Sequence, residues 1–179
     1  QNDILHRAIT NGSYNVENVL ETISPSMDIQ IASNFERLIF DLNNNSDKKT
    51  IEVMKNIKEK GKYEIQKKNL DKINIDFLSS RMDEDEVLNT IKTVYEKFDK
   101  VLDPHSAIGY GAFDKVNLKG NNIVLATAHP CKFPGAIKKA INIKAELPDE
   151  LLFILDEKEN YDIIENDLNK IKQHIKERI

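Results

Sequence analysis

A hydroxyl, an imidazole and an ammonium group lie close together in the last third of the chain. They belong to Thr127, His129 and Lys132. The apolar, β-branched run before them predicts a buried strand at 122–127, and Pro134 predicts the start of a helix after them. Because ligands of open α/β sheets bind beyond the carboxyl ends of strands, these three side chains are expected at a ligand site.

Asn34 and Arg37 form a second polar pair, three residues apart on a predicted helix. Side chains at this spacing project from one side of a helix, and the amino end of a helix favours anions. Arginine can bind a phosphate group through two parallel hydrogen bonds, so the pair predicts a phosphate-binding corner. The alternative is an ion pair between Arg37 and Glu36 or Asp41 on a solvated helix face.

Three sequence motifs are distinctive and occur in a fixed order. They are Ser-Pro-Ser-Met-Asp-Ile at 24–29 followed by Ser-Asn-Phe-Glu-Arg-Leu at 33–38, Asp-Pro-His-Ser-Ala at 103–107, and Thr-Ala-His-Pro-Cys-Lys-Phe at 127–133. Together they resemble the carboxyl-terminal part of the threonine synthase family. The resemblance implies an α/β protein, namely the helix-rich carboxyl-terminal portion of a fold type II pyridoxal phosphate enzyme, with few strands in this chain. Gln1 in place of a methionine agrees with a piece of a longer protein.

The resemblance gives Thr127 and Lys132 their expected roles. Thr127 is expected to offer its hydroxyl to the pyridine nitrogen of pyridoxal 5'-phosphate, and a hydroxyl, unlike a carboxylate, does not hold that nitrogen protonated. The alternative is a strand-end threonine that bonds to the backbone. In the family the cofactor lysine lies upstream of this chain, so Lys132 is expected to be a surface or phosphate-orienting cation. No catalytic residue is therefore assigned here.

The other candidates are expected to line the site or to support it. His129 is a site-lining residue on this interpretation, with a structural hydrogen bond in a turn as the alternative. Asn34 and Arg37 are expected to contact the phosphate of the substrate. Asp28 and His105 lie in the motifs, but residues of their type in such turns are often structural, so they are interpreted as supporting residues.

The resemblance implies a lyase of threonine biosynthesis that converts O-phospho-L-homoserine and water to L-threonine and phosphate. This chain alone is expected to be inactive and not to bind pyridoxal phosphate stably, because the cofactor lysine and the glycine loop for the cofactor phosphate lie elsewhere in the family. The competing hypothesis is a non-catalytic helical module that docks its terminal helix on a partner protein.

Composition limits the class of protein further. The 179 residues are 40% hydrophobic and carry a net charge of −4, with no basic stripe interleaved with aromatic residues, so nucleic acid is an unexpected partner. No apolar run is long enough to span a bilayer, and the amino terminus lacks the charged-then-apolar pattern of a signal peptide, so a cytoplasmic protein is expected. Cys131 is the single cysteine, so neither an internal disulfide nor a zinc site built on several cysteines is expected, and no residue is assigned to a metal.

Helix start and stop signals divide most of the chain into short helices. Helices are predicted over 4–11 and 35–42 and between Ser46 and Gly61. Further helices are predicted after a capping box of Asp83 and Glu86, and starting at Pro104, Pro134 and Pro148. A last amphipathic helix is predicted from the spacing of Ile164, Leu168, Ile171 and Ile175. Their buried stripes are predicted at Ile51, Met54 and Ile57, at Val87, Ile91, Val94, Tyr95 and Phe98, and at Ile108, Ala112 and Phe113. One compact unit over 1–179 is expected, with 1–145 in the cofactor-domain region and 146–179 as a carboxyl-terminal helical extension.

Overall fold

The computed structural model describes residues 2–116 and 118–179. The chain divides into two compact units, of which the first ends at Glu146 and the second covers Leu147–Ile179. The described residues are mainly helical, and their one sheet has two short strands. This agrees with the predicted helix-rich composition of the chain.

The first part of the first unit packs four helices around a small two-stranded sheet. Its elements are α1 (Ile4–Asn11), β1 (Ser13–Asn15), α2 (Phe35–Leu42), α3 (Asp47–Lys60), β2 (Lys62–Glu64) and α4 (Lys67–Asp76). Strands β1 and β2 are antiparallel, with Ser13 opposite Glu64. The rings of Tyr14 and Phe35 stack with centroids 5.2 Å apart, and the Tyr14 hydroxyl accepts a hydrogen bond from the Ala32 N–H. They join a first core cluster that draws its members from 4–73.

Local capping signals predicted α3 correctly, but its buried face differs from the prediction. The Ser46 hydroxyl accepts a hydrogen bond from the Lys49 N–H, and Gly61 ends the helix with φ +66°. Ile57 is buried, as predicted, whereas Ile51 is 63% exposed. The buried neighbour is instead Thr50, whose hydroxyl donates to the Ser46 carbonyl and so needs no further partner inside the protein.

The second part of the first unit contains α5 (Glu84–Phe98), α6 (Pro104–Val116) and α7 (Pro134–Ile141). The predicted capping box is confirmed, because Asp83 and Glu86 accept hydrogen bonds from each other's N–H groups at 2.8 and 2.9 Å. A second core cluster lies between these helices and consists of Met82, Val87, Ile91, Ala107 and Ile137. Two short 3-10 turns, Pro25–Met27 and Pro130–Lys132, lie in the connecting segments.

Two details of the predicted stripes on α5 and α6 are wrong. Phe98, at the end of α5, is 56% exposed because the helix ends there at Asp99 in the left-handed conformation. On α6 the buried residues are Pro104, His105, Ser106, Ala107 and Gly111, while Ile108, Ala112 and Phe113 are half-buried. The buried face of α6 therefore consists of small residues together with His105 and Ser106. The larger apolar side chains of the helix line a groove.

The predicted buried strand at 122–127 is wrong. The segment has no regular secondary structure, and Ile123 and Leu125 are 89% and 76% exposed. An apolar β-branched run forms a strand only where a neighbouring strand supplies hydrogen bonds and a second layer covers its side chains. In the part of the chain that the structure describes, the sheet consists of β1 and β2, and neither pairs with 122–127.

The second unit is small and holds little apolar surface away from solvent. It contains a 3-10 helix at Asp149–Leu155 and the helix α8 (Leu168–Lys176), which Asp167 caps by accepting from the N–H groups of Asn169 and Lys170. The helix predicted over 164–175 therefore begins only after Ile164, and Leu168 and Ile175 are exposed. Among the helices that the structure describes, none has the length and apolarity that a membrane span requires.

Candidate functional site

The start of α6 is built around a fully buried carboxylate. Asp103 accepts hydrogen bonds from the backbone N–H groups of His105 and Ser106, at 2.9 and 3.3 Å, and its side chain has no exposed surface. Its carbonyl accepts the first bond of the helix, from the Ala107 N–H, and Pro104 occupies the first helical position. Asp103 is therefore the amino-terminal cap of α6, where the helix dipole also favours a negative charge.

Two side chains complete the set of donors around Asp103. The Nδ1 atom of His105 lies 2.9 Å from Oδ1, and the Ser106 hydroxyl donates to Oδ2. Burial raises the pKa of Asp103, but hydrogen bonds from Ser106 and His105 lower it, and the resulting pKa lies below the ordinary value. Because four hydrogen-bond donors surround the carboxylate and its pKa is lowered, the group is ionised at neutral pH.

His105 is held in one tautomer by the chain around it. Its Nε2 atom accepts a hydrogen bond from the Ser26 N–H at 3.1 Å, so the proton of the neutral ring lies on Nδ1 and points to Asp103. The imidazole also packs against the ring of Phe133, with centroids 4.7 Å apart. His105 thus joins three motifs, at 24–29, 103–107 and 127–133.

Thr127 lies at the end of the irregular segment and is held by Ser106. The Thr127 N–H donates to the Ser106 hydroxyl oxygen at 2.9 Å, and the two hydroxyl oxygens are 3.3 Å apart. The position that was predicted as a strand end is therefore fixed to α6 by side-chain hydrogen bonds. The alternative interpretation of Thr127 was a hydroxyl that bonds to the backbone. In the structure the Thr127 hydroxyl instead contacts the side chain of Ser106.

An open cavity of about 1010 Å³ brings together several of the predicted site residues. Thr127, Lys132 and His105 line it, with Ser26 at one side. Its apolar wall consists of Ile108, Phe113, Leu118, Val124, Leu125 and Phe133. A hydroxyl and an ammonium group thus face one cavity whose surface is largely apolar, which is typical of sites for small organic ligands.

His129 does not line this cavity. Its ring turns back to its own 3-10 turn, where Nδ1 accepts a hydrogen bond from the Cys131 N–H at 3.2 Å. The side chain is exposed. This geometry matches the structural alternative for His129, a hydrogen bond that begins the turn.

Asn34 and Arg37 line a different cavity, of about 630 Å³, beside the amino end of α3. Glu36, Asp47 and Thr50 line it as well. Neither Glu36 nor Asp41 forms an ion pair with Arg37, and no other described residue does so. The structure therefore keeps this pair together but separates it from the cavity of Thr127 and Lys132.

Asp103 and Ser106 are the site residues that the sequence analysis missed as individuals. Both belong to the motif at 103–107, and an aspartate directly before a proline and two polar residues is a recognisable helix-capping signal. The described residues contain no group of three or more His, Cys, Asp or Glu side chains arranged to hold a metal ion.

Comparison with known proteins links this geometry to one group of enzymes. A family model described as "Threonine synthase, C-terminal" matches residues 106–175. Threonine synthase of Pseudomonas aeruginosa is 34% identical over 98% of this chain, and that of Saccharomyces cerevisiae is 35% identical over 100%. This chain covers 38% and 40% of those two proteins, so it spans about two fifths of the length of its relatives.

Solved structures show the same similarity in three dimensions. A pyridoxal phosphate-bound threonine synthase from Brucella melitensis superposes with a TM-score of 0.85 at 38% identity. Yeast threonine synthase superposes with a TM-score of 0.80 at 34% identity. Each comparison covers 98% of this chain, and 38% or 40% of the solved chain. The predicted fold class, a helix-rich carboxyl-terminal part of such an enzyme, is confirmed.

Proposed function

Because the chain belongs to the threonine synthase family, we propose that it forms part of the active site of a pyridoxal phosphate-dependent enzyme. The proposed reaction converts O-phospho-L-homoserine and water to L-threonine and phosphate, in the cytoplasm. The observation that carries this proposal is the superposition of 98% of the chain on a pyridoxal phosphate-bound threonine synthase. The whole enzyme comprises this chain and the further part that its relatives possess.

The residues of the larger cavity suit a flat aromatic cofactor. Thr127 places one hydroxyl in a largely apolar space, and Ser106 fixes its position from behind. Apolar side chains such as Val124 and Phe133 can cover the faces of a ring, while a hydroxyl binds its nitrogen. When bound, pyridoxal phosphate supplies the electron sink for breaking bonds at the carbons of an amino-acid substrate.

Lys132 and Thr127 have different parts in this proposal. Thr127 binds and orients the cofactor ring. Lys132 is an exposed cation on the wall of the same cavity and attracts phosphate groups that enter it. The lysine that bonds covalently to the cofactor is proposed to lie outside this chain, as the resemblance to the family implies. Lys132 itself lies on an exposed turn, which does not favour the neutral amine that this bond requires.

Arg37 and Asn34 are proposed as contacts for the substrate phosphate. The guanidinium group of Arg37 has no ion-pair partner in the part of the chain that the structure describes, so its donors can reach an external anion. Since these residues line a different cavity from Thr127, this role requires that the second cavity open toward the same substrate in the whole enzyme.

The proposal is tested on the full-length protein that contains this chain. Purified protein is expected to bind pyridoxal phosphate, measured by its absorbance, and to release phosphate and threonine from O-phospho-L-homoserine. Thr127→Val is expected to weaken cofactor binding by about fivefold, because one hydrogen bond contributes about 1 kcal/mol. Protein that binds the cofactor but forms no threonine would refute the proposed reaction.

Thr10→Val is the matched control for this experiment. It removes a hydroxyl that donates to the His6 carbonyl on the exposed side of α1, away from the lining of the cavity. Its cofactor affinity is expected to equal that of the unmodified protein. Equal affinities for Thr127→Val and the unmodified protein would show that Thr127 does not bind the cofactor.

A further inference from the structure

The 3-10 turn Pro25–Met27 brings a second hydroxyl to the larger cavity. Ser26 lines this cavity and is exposed, and its hydroxyl forms no hydrogen bond with any residue that the structure describes. The hydroxyl of Thr127, by contrast, already contacts Ser106. The proton and the lone pairs of the Ser26 hydroxyl are therefore available to a ligand.

The backbone of this turn is fixed on two sides. The Ser26 N–H donates to the Nε2 atom of the buried His105 at 3.1 Å. After the turn, the Asp28 carboxylate accepts hydrogen bonds from the N–H and the hydroxyl of Thr22, at 2.8 and 2.7 Å, and from the amide of Asn2 at 2.8 Å. Because residues distant in sequence hold the turn, little conformational freedom is lost when Ser26 binds a ligand.

The charged groups around the cavity indicate what this hydroxyl would bind. Among the described residues of the lining, they are Lys132 and Asp76. A positive and a negative charge in one cavity suit a ligand that carries both charges. Pyridoxal phosphate and O-phospho-L-homoserine both contain phosphate, and the second also contains a carboxylate. The oxygens of these groups accept hydrogen bonds, so a free hydroxyl proton matches them.

We propose that the Ser26 hydroxyl donates a hydrogen bond to an oxyanion of the ligand in the larger cavity, and that His105 is the positioning residue that holds Ser26 there. This inference rests on the proposed function, in which the oxyanion belongs to the cofactor phosphate or to the phosphate or carboxylate of the substrate. His105 acts through its neutral ring, because the proton on Nδ1 points to Asp103 and leaves Nε2 to accept from the Ser26 N–H.

Ser26→Ala in the full-length enzyme tests the contact itself. It removes the hydroxyl but keeps the N–H that bonds to His105. A hydrogen bond to a charged group is stronger than one between neutral groups, so ligand binding is expected to weaken by about tenfold. A rise of this size in the KM for O-phospho-L-homoserine, with kcat and cofactor affinity unchanged, identifies an oxyanion of the substrate. A loss of this size in the affinity for pyridoxal phosphate, measured by absorbance titration, identifies the cofactor phosphate.

Ser13→Ala is the matched control, because the Ser13 hydroxyl bonds to Glu64 on the surface of β1, away from the lining of the cavity. It is expected to change neither the KM nor the cofactor affinity. If Ser26→Ala also changes neither, the inference is overturned while the proposed function stands. A full-length protein that binds no pyridoxal phosphate and forms no threonine overturns both.

Two substitutions of His105 separate positioning from stability. Glutamine can place an amide oxygen near the position of Nε2 and accept from Ser26, but it gives up the bond to Asp103. Asparagine can place an amide nitrogen near the position of Nδ1 and donate to Asp103, but it is too short to reach Ser26. Each variant loses one hydrogen bond of a buried side chain, so their melting temperatures are expected to fall by similar amounts.

The ligand affinities of the two variants are expected to differ. His105→Asn should show the same change in KM or in cofactor affinity as Ser26→Ala, whereas His105→Gln should retain the affinity of the unmodified enzyme. Equal ligand affinities in the two variants would overturn the positioning role of His105. This pair also decides the inference if Ser26→Ala fails to fold, because neither variant alters Ser26 itself.

Discussion

Two glycines of α6 offer a direct measure of how tightly this helix is packed in the second core cluster. A Cβ atom added at Gly111 would lie 2.5 Å from the Met82 sulfur and 2.9 Å from the Thr90 hydroxyl oxygen. A Cβ atom at Gly109 would meet Val124 at 3.4 Å, which is an ordinary contact. Both positions are helical, so alanine should gain about 1 kcal/mol of helix propensity at each.

The overlap at Gly111 opposes this gain. Inserting an atom into a packed core costs about 1–3 kcal/mol, so Gly111→Ala is expected to change the free energy of unfolding by between about zero and a loss of 2 kcal/mol. Gly109→Ala is expected to raise it by about 1 kcal/mol. The difference between the two variants, about 1–3 kcal/mol, isolates the packing of α6 from its helix propensity.

Chemical unfolding of this chain, followed by far-ultraviolet circular dichroism, measures both free energies under the same conditions. The slope of the unfolding free energy against denaturant should be equal for the two variants, so that their midpoints can be compared. If both alanines stabilise the chain equally, α6 does not pack against Met82 and Thr90 as described.

Three further outcomes are expected. Arg37→Lys in the full-length enzyme should raise the KM for O-phospho-L-homoserine and leave the melting temperature unchanged, because lysine keeps the charge but loses the planar fork; a lower melting temperature with the same KM would make Arg37 structural. The lowered pKa of Asp103 means that its ionised carboxylate stabilises the folded chain. This contribution is full above a pH of about 3.9 and is lost as the pH falls through the pKa of the folded state. The free energies of unfolding of the unmodified chain and of Asp103→Asn should therefore converge in acid. When this chain alone is mixed with pyridoxal phosphate and reduced with borohydride, several lysines should be labelled incompletely. Complete labelling of Lys132, mapped by mass spectrometry, would contradict its proposed role as a phosphate-attracting cation.

Local signals allowed most helices to be predicted from the sequence. A cap acts within one turn of its helix, so Ser46 with Gly61, and Asp83 with Glu86, define their helices without knowledge of the rest of the protein. The segment at 122–127 was mispredicted because a strand depends on partners distant in sequence, and apolar content does not reveal whether they are present.

The candidate site was predictable in part, for the same reason. Thr127 and Lys132 are close in sequence, and both do line one cavity. The support of Thr127 by Ser106 spans 21 residues, and the contact of His105 with Ser26 spans 79, so neither follows from local spacing. Asn34 and Arg37 line one cavity, because Asn34 directly precedes α2 and Arg37 lies in its first turn, but their separation from the larger cavity depends on tertiary packing.

The two core clusters bear on the order in which the first unit folds. One draws its residues from 4–73 and the other from 82–137, so each is encoded by a continuous stretch of chain. Contacts between residues close in sequence lose little entropy on closing loops, and such clusters form quickly. Hydrogen exchange is therefore expected to reveal two cooperative units, which are joined afterwards by the ion pair of Asp3 with Arg81 and by the bond from Ser26 to His105. On the ribosome, the helices around Tyr14 could thus be complete before the segment that carries Thr127 has been synthesised.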